Sequence, residues 1–126
     1  MATTTKTFKN FIGGEWVDAA AGETFETTSP ANGETLGVFP RSGAEDVDRA
    51  VEAATAAYEE WRLVPAPRRG EILFRFGQLL ADQKDEVAQL MAREMGKVLP
   101  EAAGDVQEAI DMSFYMGGEG RRPAPL

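Results

Sequence analysis

The sequence predicts an α+β chain, with strands first and helices after. A β-rich stretch, residues 8–41, gives way to a helical one, residues 42–120. Two observations carry this. Short aromatic and β-branched runs, separated by Gly, Pro and Asn, fill the opening. From Ser42 onward apolar residues recur at helical spacing and no strand pattern returns. No helix falls between two strands, so there is no βαβ crossover. Helices with no later strand to pack on leave the fold incomplete.

Phe11-Ile12, Gly13-Gly14 and Glu15-Trp16-Val17 read as strand, turn, strand. The Gly pair supplies the positive φ values that a two-residue hairpin turn needs. Residues 19–22 are a small-residue loop, and residues 24–28 a β-branched strand. Ser29-Pro30-Ala31-Asn32-Gly33 is a turn, and residues 35–39 are a return strand stopped by Pro40.

Ser42-Gly43-Ala44-Glu45 fits a capping box, with the hydroxyl meeting an early amide and the glutamate reaching back. The stripe Val47, Ala50, Val51, Ala54, Tyr58, Trp61 then predicts the first helix. Pro65-Ala66-Pro67 opens a second helix, whose buried face is marked by Ile72, Phe76, Leu79 and Leu80. Asp82 is the cap candidate for a third helix, carried by Val87, Leu90, Met91 and Met95 and stopped by Gly96. Leu99-Pro100-Glu101 begins a fourth, with Val106, Ala109, Ile110 and Phe114 on one face and Gly117-Gly118 and Gly120 as its end.

Composition narrows the function. With 126 residues the chain is one ordinary domain at most. Its net charge of −8 makes nucleic acid and anionic membranes poor partners. It holds neither Cys nor His, which excludes thiol nucleophiles, disulfides, imidazole or thiolate metal sites and any His-dependent relay. No apolar run approaches the roughly 18 residues of a membrane span. Residues 1–9 lack the pattern of a secretory signal, so the expected location is the cytoplasm.

The remaining candidate chemistry has structural explanations. Gly117-Gly118-Glu119-Gly120 follows a helix rather than a strand, so it reads as a helix stop, not a dinucleotide loop. Met95-Gly96-Lys97 lacks the rest of a phosphate loop, and Lys97 suits the C-terminal end of a helix dipole. Glu94 with Glu101, and Asp105 with Glu108, read as solvated faces rather than acid/base pairs. Arg68-Arg69 and Arg121-Arg122 read as salt-bridge formers, and Trp16, Trp61, Phe74 and Phe76 as packing residues, with Trp61 equally suited to an interface with the rest of a larger protein.

Several segments, in order, resemble the start of an NAD(P)-dependent aldehyde dehydrogenase. They are Asn10-Phe11-Ile12-Gly13-Gly14-Glu15-Trp16-Val17, Phe25 through Pro30, and Asn32-Gly33-Glu34-Thr35-Leu36-Gly37. Then come Glu45 through Ala54, Trp61 with Pro65-Ala66-Pro67-Arg68-Arg69, Glu94-Met95-Gly96-Lys97, Glu101-Ala102 and Asp105-Val106. The match covers residues 8–122 but a minor part of the family's usual length. The resemblance implies an incomplete α/β aldehyde dehydrogenase-like fold. Residues 1–126 are then the N-terminal part of the cofactor-binding domain, with 121–126 an atypical tail, because Pro123-Ala124-Pro125-Leu126 departs from the family's continuation.

The resemblance also implies a chemistry that this segment does not carry. In the family a cysteine thiolate attacks the aldehyde, the adduct passes hydride to nicotinamide, and a glutamate-activated water frees the acid. Those residues and the cofactor's glycine motif lie downstream. The chain is therefore expected to have no catalytic and no cofactor-binding residue and to be inactive alone. NAD or NADP belongs to the full-length enzyme. The implied partner is the remainder of the subunit, in a homo-oligomer. Weak candidates for a monovalent cation held by backbone carbonyls are Thr28 and Asp105. The rival readings are a non-catalytic module that binds a homologous subunit or another partner, and a small enzyme using carboxylates or lysine. If later strands normally cover the helices, the isolated chain is partly folded or oligomeric.

Overall fold

The computed structural model describes residues 5–122. The chain forms two compact units, Met1–Leu63 and Val64–Leu126. α1 thus folds with the strands, and the division falls after it rather than at the composition change before it.

In the first unit β1 (Asn10–Ile12) pairs antiparallel with β2 (Glu15–Val17), in the register Asn10↔Val17, Phe11↔Trp16, Ile12↔Glu15. Gly13 (φ 62°) and Gly14 (φ 88°) make the turn, as their lack of a Cβ permits. The cross-strand Phe11 and Trp16 rings pack with centroids 4.9 Å apart. β3 (Thr24–Thr28) pairs antiparallel with β4 (Thr35–Pro40), with an irregularity at Thr27/Thr28. The preceding segment joins β4 through Phe8 N–H to the Val38 carbonyl (2.8 Å) and Val38 N–H to the Lys6 carbonyl (3.0 Å). Phe8 stacks on Phe39 at 4.6 Å, and Phe25 lies 5.9 Å from Phe39. α1 (Ala44–Trp61) follows.

The second unit holds α2 (Ala66–Asp82), α3 (Lys84–Met95) and α4 (Leu99–Glu119). Its buried cluster is Ala88, Ala102, Val106 and Ile110, backed by Leu80, Val87, Met91, Ala92 and Ala103. The glycines of α2 and α4 set how closely the two helices approach. A Cβ on Gly70 would lie on the Gly117 carbonyl oxygen, and one on Gly117 would lie 2.8 Å from the Phe74 ring. Further along, a Cβ on Gly77 would lie 3.2 Å from both Ser113 and Phe114. The pairs 70/117 and 77/113 run in opposite directions, so α2 and α4 are antiparallel.

Four expectations change. Of the glycines expected to end the last helix, Gly120 is its C-cap, but Gly117 and Gly118 lie inside it, because Gly117 is needed at the crossing. Asp82 does not cap α3. It is the last residue of α2, and its carboxylate accepts from Gln78 Nε2 at 2.9 Å. Ile72, Phe76 and Leu79 are exposed, while the buried residues of α2 are Gly70 and Gly77. In α1 the covered edge is Asp46, Ala50 and Ala53, and Val47, Val51 and Tyr58 lie open. In α1 and α2 the spacing identified an apolar stripe, but small residues occupy much of the covered side, whereas in α4 the expected Val106 and Ile110 are buried.

The crossing predicts opposite outcomes for two glycines. Gly70→Ala forces a methyl group onto backbone and should cost about 1–3 kcal/mol. Gly104→Ala, on α4 with nothing within 4 Å of its Cβ position, should gain about 0.5–1 kcal/mol from helix propensity. Urea unfolding followed by helical circular dichroism measures both. Equal effects at the two sites would contradict the close approach.

Candidate functional site

The most constrained polar group of the first unit is Asp46, whose side chain is 3% exposed. Gly43 is the N-cap of α1, and Asp46 stands three residues on. Its Oδ2 accepts from Gly43 N–H at 3.0 Å and its Oδ1 from Ala20 N–H at 2.9 Å. The carboxylate therefore caps the helix and pins the 19–22 loop to it. Arg49 Nη1 lies 4.0 Å from Oδ1. The Gly43 amide, then the Ala20 amide, hold the Asp46 carboxyl below its ordinary value. Burial opposes them and Arg49 adds to them.

This capping is displaced by one residue from the expected Ser42/Glu45 pair. Ser42 Oγ instead accepts from Asn10 Nδ2 at 2.8 Å. The signal that could have found Asp46 is present, since Gly43-Ala44-Glu45-Asp46 has an acidic residue at the same offset from an alternative cap.

In the second unit Lys97 follows the left-handed Gly96 (φ 71°) that stops α3. Its ammonium donates to the Asp105 carboxylate on α4. Lys97 is a partner of α4 rather than a free dipole cap. The Asp105 hydrogen bond raises the Lys97 pKa, burial opposes it, and the charges of Asp105, Glu101 and Glu108 reinforce it. A lysine nucleophile or base needs the reverse shift. Lys97 thus stays protonated at neutral pH, where it can only hold charge and position.

The other candidates are dispersed. Glu94 and Glu101 are exposed on different helices. Among the described residues no three acidic side chains gather as a metal site. Glu71 receives Arg68 at 3.0 Å and Arg121 at 3.6 Å, and Arg122 pairs with Glu119 at 3.1 Å, so these arginines are salt-bridge formers as expected. Phe74 packs near Phe114 with centroids 6.2 Å apart, whereas Trp16, Trp61 and Phe76 are exposed. Thr28 ends β3 in the first unit, and Asp105 lies inside α4 in the second. The tail 123–126 lies outside the described residues.

No described helix is long and apolar enough to cross a membrane. A hollow of about 220 Å³ beside α1 is lined by Asn10, Phe11, Ile12, Ser42, Asp46, Val47 and Ala50. Its one carboxylate is already committed to two backbone amides. Among the described residues the candidate side chains Asp46 and Lys97 are each committed to structural partners.

A family model described as the aldehyde dehydrogenase family matches residues 16–125. Malonate-semialdehyde dehydrogenase 3 of Geobacillus kaustophilus is 48% identical over 116 residues, which is 92% of this chain and 24% of that protein. Alpha-ketoglutarate semialdehyde dehydrogenase of Haloferax volcanii is 47% identical over 112 residues, 88% of this chain and 23% of that one. Among solved structures, an NADP dependent enzyme of E. coli superposes with a TM-score of 0.88 at 38% identity, over 93% of this chain and 24% of that chain. A 3,6-anhydro-L-galactose dehydrogenase superposes with 0.87 at 37% identity, over 92% and 24%. The chain spans about a quarter of the length of the curated relatives it matches.

The Asp46 geometry predicts a pH dependence. Its folded-state pKa lies below the ordinary 3.8, so the ionised form stabilises the native state. That contribution is full above 3.8 and is lost as pH falls through the lower folded-state value. Melting of the first unit, followed by Trp fluorescence, should show Asp46→Asn less stable than wild type at neutral pH. The gap should close in acid. A gap independent of pH would contradict the clamp.

Proposed function

Because this chain belongs to the aldehyde dehydrogenase family, its residues 16–125 matching the family model, we propose that it is the N-terminal segment of an enzyme that oxidises an aldehyde to a carboxylic acid with NAD(P)+. The observation that carries this is a family match over most of the chain, spanning about a quarter of each relative. In this reading the segment is inactive alone. It contains no cysteine to form the covalent adduct. Its one raised-pKa lysine is a poor nucleophile.

The nicotinamide cofactor supplies the hydride acceptor in the complete enzyme. This chain's residues contribute the scaffold. Asp46 fixes the start of α1, the Gly70–Gly117 approach fixes α2 on α4, and Lys97 ties the end of α3 to α4. The Thr28 and Asp105 backbone carbonyls are hard oxygen donors, the class that suits a monovalent cation, and no chemical step depends on them. The reading extends to a cytoplasmic homo-oligomer that contacts neither nucleic acid nor membrane. Malonate semialdehyde is the first substrate to offer, because the relative at 48% identity bears that name.

A chimera tests the proposal. Residues 1–126 replace the matched part of G. kaustophilus malonate-semialdehyde dehydrogenase 3, and NAD+-dependent oxidation is followed. The expected rate is within about tenfold of the parent enzyme, with the isolated chain indistinguishable from a no-protein control. A folded but inactive chimera would overturn the reading, and turnover by the isolated chain would overturn its inactivity.

A further inference from the structure

We propose that Asn32 is a site of covalent self-modification, in which the Gly33 backbone nitrogen attacks the Asn32 side-chain amide. A hydrogen bond of the β3–β4 turn holds that attack in check. The inference goes beyond the proposed function and does not depend on it.

The chain has two asparagines, Asn10 and Asn32. Asparagine is thermolabile, because the nitrogen of the following peptide bond closes a five-membered ring on its Cγ. The following residue sets how readily. After Asn32 comes glycine, with no Cβ to crowd the ring closure or restrict the backbone. Nothing lies within 4 Å of where a Cβ on Gly33 would stand, and residues 30–34 are exposed. After Asn10 comes Phe11, in strand β1, and Asn10 Nδ2 donates to Ser42 Oγ at 2.8 Å.

Two hydrogen bonds act in opposite senses at Asn32. Glu34 N–H donates to Asn32 Oδ1 at 3.0 Å. Negative charge develops on that oxygen when Cγ is attacked, so the Glu34 amide serves as an oxyanion donor. Gly33 N–H donates to the Ser29 carbonyl at 2.8 Å. That bond occupies the proton which the attacking nitrogen must lose. Ser29 is buried, and its own N–H donates to the Glu34 carbonyl at 2.8 Å, which closes the turn around the same residue. The turn thus holds the electrophile ready and the nucleophile back. Reaction runs through the fraction of molecules in which the Gly33 bond is open.

The step balances without an oxidant or reductant. The Gly33 nitrogen passes its proton through water to the departing Nδ2. The N–Cγ bond forms, the Cγ–Nδ2 bond breaks, and ammonia leaves a succinimide. Water then opens the ring. Cleavage at Cγ gives aspartate, and cleavage at the Asn32 backbone carbonyl gives isoaspartate. Either product adds a negative charge to a chain already at −8. Isoaspartate also carries the chain through Cγ, one carbon longer, which disrupts the spacing that closes Gly33 on Ser29.

The chain is aged at neutral pH and physiological temperature, in buffer and unfolded in guanidinium chloride. Peptide mass spectrometry reads conversion at each asparagine, and enzymatic methylation reads isoaspartate. In guanidinium, Asn32 should convert about tenfold or more faster than Asn10, since only Asn32 precedes a glycine. In buffer the closed turn should slow Asn32 about tenfold, the net worth of one such hydrogen bond. Asn32→Gln should remove the isoaspartate signal. Equal conversion of the two asparagines overturns the site. So does aspartate as the sole product, because direct hydrolysis of the side chain makes no isoaspartate. Equal rates for Asn32 in buffer and in guanidinium overturn the gate.

Discussion

A backbone carbonyl at Gly117 meets the backbone of Gly70 with no room for a side chain between them. Two helices of ordinary sequence keep their axes apart by the thickness of their side chains. Here that thickness is absent at Gly70, Gly77 and Gly117, and α2 lies close against α4. The arrangement of the second unit depends on this. The buried cluster is small, with Ala88, Ala102, Val106 and Ile110 at its centre. These residues belong to α3 and α4, and α2 reaches the cluster through Leu80. With the glycines directed inward, Ile72, Phe76 and Leu79 of α2 lie outward.

The same trade recurs in the first unit. Asp46, Ala50 and Ala53 of α1 face its covered side, and Val47, Val51 and Tyr58 face away. In a complete soluble domain the pattern would be inverted, with large apolar residues inside and small or charged ones outside. In a segment that is itself one layer of a larger fold, both sides of a helix can be interior. Small residues then serve the contacts within the segment, and large ones the contacts with what lies beyond it. The polar groups with the most restricted geometry, Asp46 and Lys97, bind backbone amides and a neighbouring carboxylate rather than opening onto a cleft.

Much of this was legible in the sequence. The β3 strand, the Gly13-Gly14 turn, the stop at Gly96 and the start at Leu99-Pro100 follow from local chemistry and stand where expected. The family was legible from ordered short matches and agrees with the family model and the superposed structures. The direction of burial was legible at Val106 and Ile110 of α4 and at Val87 and Met91 of α3, but not along α1 and α2. Hydrophobic spacing identifies which residues share a face but not which neighbour covers it, and three of the four residues marking the α2 face, Ile72, Phe76 and Leu79, are open. The Gly117-Gly118 pair reads locally as a stop, because the need for glycine at that point comes from α2, far away in sequence. Capping by Asp46 rather than Glu45 was missed for a similar reason. Its second bond goes to Ala20, a partner that helix periodicity cannot reveal.

The central claim is that this chain is one layer of an aldehyde dehydrogenase subunit. The coding sequence past the codon for Leu126 tests it most directly. The account predicts a frame, continuous or restored by a single-base shift, that encodes a glycine motif for the cofactor and then a cysteine nucleophile. A stop codon after Leu126, followed by sequence encoding neither in any frame, would contradict it.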